Sequence, residues 1–262
     1  MQLQFIRAFV RQRLAYHTEK RYNKNTENCK AVNPMNGFDF TIKNKQDIID
    51  VIEIYGFLPF FAGSIPGFSL EEHVTPDLWY SHTSDSWPVW EWKGPIIQES
   101  GCAYGKFFEN KAAFISRQWF ADFANYRRDG YDFDARFDDG LASYRDKDLF
   151  ELIDENAPIL TRQLKAIGNY RKDGKKGFDT LITRLQSQCY VLISDFVYAM
   201  DKTGKPYGWG IAEYTTPEKF FGAAFSDSVY QRTPEESYAR LLAHLQTLFP
   251  DTADTVLRNL LK

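Results

Sequence analysis

Phe178-Asp179-Thr180-Leu181-Ile182-Thr183-Arg184-Leu185-Gln186-Ser187-Gln188 is the stretch that decides the fold. Phe178, Leu181, Ile182 and Leu185 fall at i, i+3, i+4 and i+7, the spacing of a helix that buries one side. Residues 190–198 follow, β-branched and aromatic-rich. Asp201-Lys202-Thr203-Gly204-Lys205 is turn chemistry, and residues 207–214 read as the returning strand. Upstream, residues 146–155 form a helix with Leu149, Leu152 and Ile153 inward. Pro158 breaks it, and Thr161 caps a short helix that runs to Ile167. Three helices followed by a two-stranded ribbon is the order of a winged helix, expected over residues 145–215.

The outer side of that unit carries the chemistry. With its apolar stripe buried, the third helix exposes Asp179, Thr180, Thr183, Arg184, Ser187 and Gln188, groups able to bond phosphates or base edges. Arg171, Lys172, Lys175 and Lys176 precede it, and the ribbon tip holds Lys202 and Lys205. Residues 162–205 hold nine cations against four anions, in a chain whose formal net charge is -3. A local basic face on an acidic molecule is the footprint of a nucleic-acid binder, though a protein-docking module with a solvated lysine loop gives the same text.

Outward from this unit, residues 36–144 read as an aromatic-rich α+β domain. Lys45–Tyr55 has helical spacing closed by Gly56, and Ser69 with Glu72 and Thr75-Pro76 mark two short helices before Trp79. Trp90 and Trp92 alternate with Glu91 and Lys93, which reads as a strand with one aromatic face. Residues 102–108 and 112–116 flank Glu109-Asn110-Lys111 as a hairpin, and residues 117–128 return to helical spacing. Four tryptophans (Trp79, Trp87, Trp90, Trp92) lie in this part, as core fillers or base-stacking platforms. Residues 216–262 start helices at Thr216-Pro217 and Thr233-Pro234, with Asp251 as a cap for a last one.

Residues 125–140 are the most unusual text in the chain, and residues 131–143, rich in Asp and Gly, read as an ordered loop. Asp132, Asp134, Asp138 and Asp139 are chemical candidates for orienting water, while Arg136 stands where a calcium loop needs an oxygen ligand. Arg127, Arg128 and Arg136 offer a structural alternative, an Arg/Asp lattice pinning the loop. In a functional version Arg127 and Arg128, at a helix C-terminus, meet a phosphate.

Composition narrows the classes. The overall negative charge excludes a generally basic binder, and three scattered cysteines and four scattered histidines give neither a disulfide framework nor a zinc site. No cofactor and no metal are expected. The sparse cysteines fit a reducing cytosol, so a cytoplasmic location is expected, and no apolar run reaches bilayer length. Residues 1–35 read as a basic, disordered extension ahead of the fold, or as text preceding a true start at Met35.

Trp90-Glu91-Trp92-Lys93-Gly94-Pro95-Ile96, Tyr104-Gly105-Lys106-Phe107-Phe108, the run 123–143 and Gly204-Lys205-Pro206-Tyr207-Gly208-Trp209-Gly210-Ile211 resemble the AlkZ-related family of bacterial proteins. The resemblance covers about residues 45–220. More distantly it points to AlkZ/YcaQ-type enzymes, winged-helix glycosylases that remove alkylated purines from DNA. Catalysis there is associated with a Gln-hydrophobic-Gln or Gln-hydrophobic-Asp motif. Gln2-Leu3-Gln4 matches it in letters at the extreme terminus, and Gln186-Ser187-Gln188 has a polar middle residue, so neither is carried over. The expected fold is α+β, a winged-helix module with a mixed α/β N-terminal region and C-terminal helices. The expected function is DNA binding linked to repair. The alternatives are an active glycosylase using Asp132, Asp134 or Asp138, and a regulator or docking module without nucleic acid.

Overall fold

A computed structural model describes residues 40–84, 86–204 and 206–262, and these fall within one compact unit. The basic extension, Gln2-Leu3-Gln4 and Lys205 lie outside the described residues. Asn44 opens α1 (Lys45–Tyr55) by accepting from the Gln46 and Asp47 amides, and Asp47 accepts from the Asn44 amide in return. Gly56 ends the helix at φ 81°, where a Cβ would stand 2.3 Å from the Trp119 ring. Both backbone and space demand glycine there.

β1 (Phe57–Pro59), β2 (Ala103–Phe108) and β3 (Lys111–Ile115) make an antiparallel sheet in the order β1-β3-β2. The expected hairpin is present. Glu109 and Asn110 both turn through left-handed φ, 51° and 58°, matching the twist of the flanking strands.

Several local expectations are corrected. Trp90 and Trp92 lie not on a strand but in and beside two helices, α3 (Pro88–Glu91) and α4 (Lys93–Ser100), which follow α2 (Pro76–Trp79). Pro88 presets the first helical φ, and Val89, Ile96 and Ile97 reach the core. Four alternating residues are too few to separate the two periods. Only one of the two helices expected before Trp79 forms. Ser69 Oγ does donate to Glu72 Oε2 at 2.6 Å, but the chain beyond it makes a turn. Asp251 does not cap the last helix, which starts after Ala253.

α5 (Arg117–Arg128) is followed by α6 (Phe133–Asp138), a helix inside the stretch read as a loop. α7 (Tyr144–Asn156), β4 (Ile159–Leu160), α8 (Thr161–Ile167), α9 (Phe178–Ser187), β5 (Leu192–Met200) and β6 (Pro206–Thr215) then succeed one another, and the strands pair in the order β4-β6-β5. Leu181, Ile182 and Leu185 are buried, as the spacing requires. The base of the ribbon is buried at Leu192 and Tyr214, while Met200 and Tyr207 near its tip are exposed.

Helices α10 (Pro217–Phe221), α11 (Ala223–Ser228), α12 (Pro234–Leu248) and α13 (Asp254–Leu261) complete the fold. Thr233 and Glu236 form a capping box on α12, as their spacing predicts. The fold is α+β, with one continuous apolar core. Among the described residues no helix is long and apolar enough to cross a membrane.

Candidate nucleic-acid interface and a caged lysine

The loop before α9 is shaped by its aromatic anchors. Tyr170 meets Phe178 edge-on with centroids 5.3 Å apart, and Gly177 turns into the helix at φ 79°. Between these points Arg171, Lys172, Lys175 and Lys176 are all exposed. Lys175 pairs with Asp148 of α7 at 3.1 Å, and Lys176 Nζ donates to the Lys172 carbonyl. Exposed pairs of this kind contribute about 0–1 kcal/mol, so a phosphate can replace the carboxylate.

The outward side of α9 is divided. Thr180 is free on the surface beside Asp179, and Lys165 Nζ approaches that carboxylate at 3.4 Å. Thr183 Oγ1 accepts from Lys106 Nζ at 3.0 Å. Arg184 is committed elsewhere, donating to buried Asp146 at 2.6 and 2.9 Å. Lys202 is exposed in the ribbon turn, where Asp201 Oδ1 holds the Thr203 amide at 2.8 Å.

Arg127 and Arg128 do not face an open phosphate site. Arg128 is 1% exposed and donates to Glu218 Oε1 at 2.7 Å, Tyr230 Oη at 2.9 Å and the Cys189 carbonyl at 2.8 Å. Arg127 donates to the Phe107 and Lys262 carbonyls. Both cations brace α5 against other segments.

The aspartates of the same stretch serve local structure. Asp132 caps α6 by accepting from the Ala135 amide at 2.8 Å, and Asp139 accepts from Tyr131 Oη at 3.0 Å. Asp134 and Asp138 are exposed on the short helix. No ion pair joins Arg127, Arg128 or Arg136 to Asp132, Asp134, Asp138 or Asp139 among the described residues, so the stretch is not held by an Arg/Asp lattice. Among the described residues no three His, Cys, Asp or Glu side chains gather as metal ligands. Gln186 is buried with Nε2 on the Ile182 carbonyl, which keeps Gln186-Ser187-Gln188 from presenting a pair of amides.

A further group of perturbed titratable side chains lies where α4 and β2 pack on the ribbon. Lys93 Nζ stands 3.9 Å from the centroid of Phe196, 5.0 Å from Trp90 and 5.7 Å from Phe60. Burial pushes its pKa down to about 8. Asp195 approaches so closely that a Cβ on Gly94 would come within 2.3 Å of its Oδ1, and burial holds this carboxyl above the usual range. Glu213 on β6 is raised for the same reason, despite the bond it accepts from Ser194 Oγ at 2.9 Å. Gln98 Nε2 ties α4 to β5 through the Ser194 carbonyl at 2.8 Å.

Beside this group Trp209 is 62% exposed, its ring 5.2 Å from Trp87 and 6.0 Å from Trp90. Clustered perturbed groups mark functional sites more often than chance. Lys93 is not among the site residues expected from sequence, although it sits inside Trp90-Glu91-Trp92-Lys93-Gly94-Pro95-Ile96, one of the strings that carry the family resemblance. A charged residue amid tryptophans was the available signal.

Compared with known proteins, the chain matches no curated protein and no solved structure. The family model described as AlkZ related matches residues 42–262, nearly the whole of the described structure. The chain therefore belongs to the AlkZ-related family.

Proposed function

We propose that this chain is a DNA-binding protein of DNA repair, and that residues 145–215 act as a winged helix. The observation that carries the reading is the exposed run Arg171, Lys172, Lys175 and Lys176 leading into α9, whose opposite side is anchored in the core. Cations on a rigidly mounted helix entry suit phosphates, and Thr180 beside them suits a base edge or sugar. The pairing order β4-β6-β5 and the exposed ribbon tip support the winged-helix assignment. Membership of a family named for its relation to AlkZ supports the link to repair.

The experiment is duplex binding across a salt series. Affinity that falls steeply with salt supports the reading, because each neutralised phosphate releases counterions. Salt-insensitive behaviour, or no binding, leaves the protein-docking alternative.

A second reading, base excision by an active glycosylase, draws on Asp195 and Glu213. These are half-buried carboxyls on neighbouring strands of the ribbon, with their charged forms disfavoured. They suit general acid-base work better than Asp132, Asp134 and Asp138, which cap or decorate a surface helix. Release of a methylated purine from DNA, lost in Asp195→Asn or Glu213→Gln, tests it.

A further inference from the structure

We infer that Lys93 is an imine-forming amine for the aldehyde of an abasic deoxyribose, with the Trp209 indole occupying the stacking position of the missing base. The inference rests on the DNA-binding reading above.

Three observations lead to it. Lys93 sits among Phe60, Trp90 and Phe196, and among the described residues no carboxylate comes within ion-pair distance of it. Its close partners are aromatic faces, and it is only partly exposed. A desolvated lysine amine is one of the activated nucleophiles of covalent catalysis. With burial lowering its pKa to about 8, the neutral amine at neutral pH is roughly a few hundredfold more abundant than for an ordinary lysine.

The second observation is the ledge. The Trp90 ring lies 5.0 Å from Lys93 Nζ and 6.0 Å from the exposed Trp209 ring, so the amine and the indole share one aromatic neighbour. Aromatic faces accept any base, or the gap where a base was. Trp90 Nε1 is buried with no acceptor, a donor left over beside the amine.

The third is continuity with the cationic helix. Tyr104 of β2 packs edge-on against Phe196 of the cage, centroids 5.6 Å apart. Two residues along the same strand face, Lys106 bonds Thr183 of α9. That step is roughly 7 Å along a strand. Cage and helix are thus neighbours across one strand, as a single DNA-contacting region requires.

The chemistry balances without a further reactant. The Nζ lone pair forms a bond to the C1′ aldehyde carbon, and an Nζ proton passes to the carbonyl oxygen. The resulting hydroxyl leaves as water with the second Nζ proton, and the nitrogen becomes doubly bonded to C1′.

Borohydride trapping tests this with the full chain and an oligonucleotide duplex carrying one aldehydic abasic site. The expected result is a covalent adduct on a denaturing gel, with the added mass on Lys93. Lys93→Arg keeps the cation and its ring contacts but should lower the adduct at least tenfold. Trp209→Ala should lower it severalfold. Thermal melting shows that each variant is folded, and binding of intact duplex by the wild-type chain is read alongside. No adduct from the wild-type chain, or an undiminished one from Lys93→Arg, overturns the inference. If intact duplex still binds in that case, the DNA reading stands without it; if duplex binding fails too, both fall.

Discussion

Arg184 donates from Nε and Nη2 to one oxygen of Asp146, at 2.9 and 2.6 Å, while the other oxygen closes the capping box with Ser143. One carboxylate thus starts α7 and fastens α9 to it. Asp146→Ala removes a cap and a nearly buried ion-pair partner together. It should destabilise the fold by about 1–3 kcal/mol in a denaturant titration. A midpoint equal to wild type would mean the pair mounts nothing.

Asp122 collects Arg232, Arg240 and the Ser237 hydroxyl while only 4% exposed, locking α5 to α12. Asp122→Ala leaves two arginines without their acid and a buried hydroxyl short of an acceptor. The expected loss is about 3 kcal/mol, read as a lowered melting temperature. Duplex binding by the folded protein should be untouched.

Lys93 should cost the fold stability at neutral pH. Its folded pKa, about 8, lies below the ordinary 10.5, so the unfolded chain holds more protons between those values and stability rises with pH across that window. The penalty is fully present below pH 8. Lys93→Met is therefore expected to be more stable than wild type at pH 7, by on the order of 2 kcal/mol. The gap should close as pH climbs toward 10.5. A gap independent of pH would show that the amine is not desolvated.

Gly94 is pressed against the ribbon. A methyl group there would stand 2.3 Å from Asp195 Oδ1 and 3.3 Å from the Phe196 amide. Gly94→Ala should cost about 1–3 kcal/mol as α4 shifts off β5. Tryptophan fluorescence should change with it, since Trp90 and Trp92 lie just ahead of that point of close approach.

Much of the architecture could be read from local text, and the exceptions have physical causes. The α9 stripe, the ribbon, the α1 cap at Gly56 and the Glu109-Asn110 hairpin follow from short-range periodicity and turn chemistry. Ile159 and Leu160 of β4 are too few to announce a strand, and Trp90 and Trp92 mimic one. Arg128 reads as exposed because Glu218, Tyr230 and the Cys189 carbonyl, which consume it, are far along the chain. The Lys93 cage draws on Phe60, Trp90 and Phe196, three segments that only the tertiary fold unites.

The proposed assignment of this protein to DNA rests on the lysine loop. The direct measurement is the slope of log affinity against log salt for duplex DNA, comparing the wild-type chain with a Lys172→Gln, Lys175→Gln, Lys176→Gln triple variant. The loop is exposed, so the variant should melt like the parent. Its slope should be shallower by about 2–3, near 0.9 for each phosphate that no longer meets a lysine. Identical slopes in two equally folded proteins would contradict the assignment of this face to DNA.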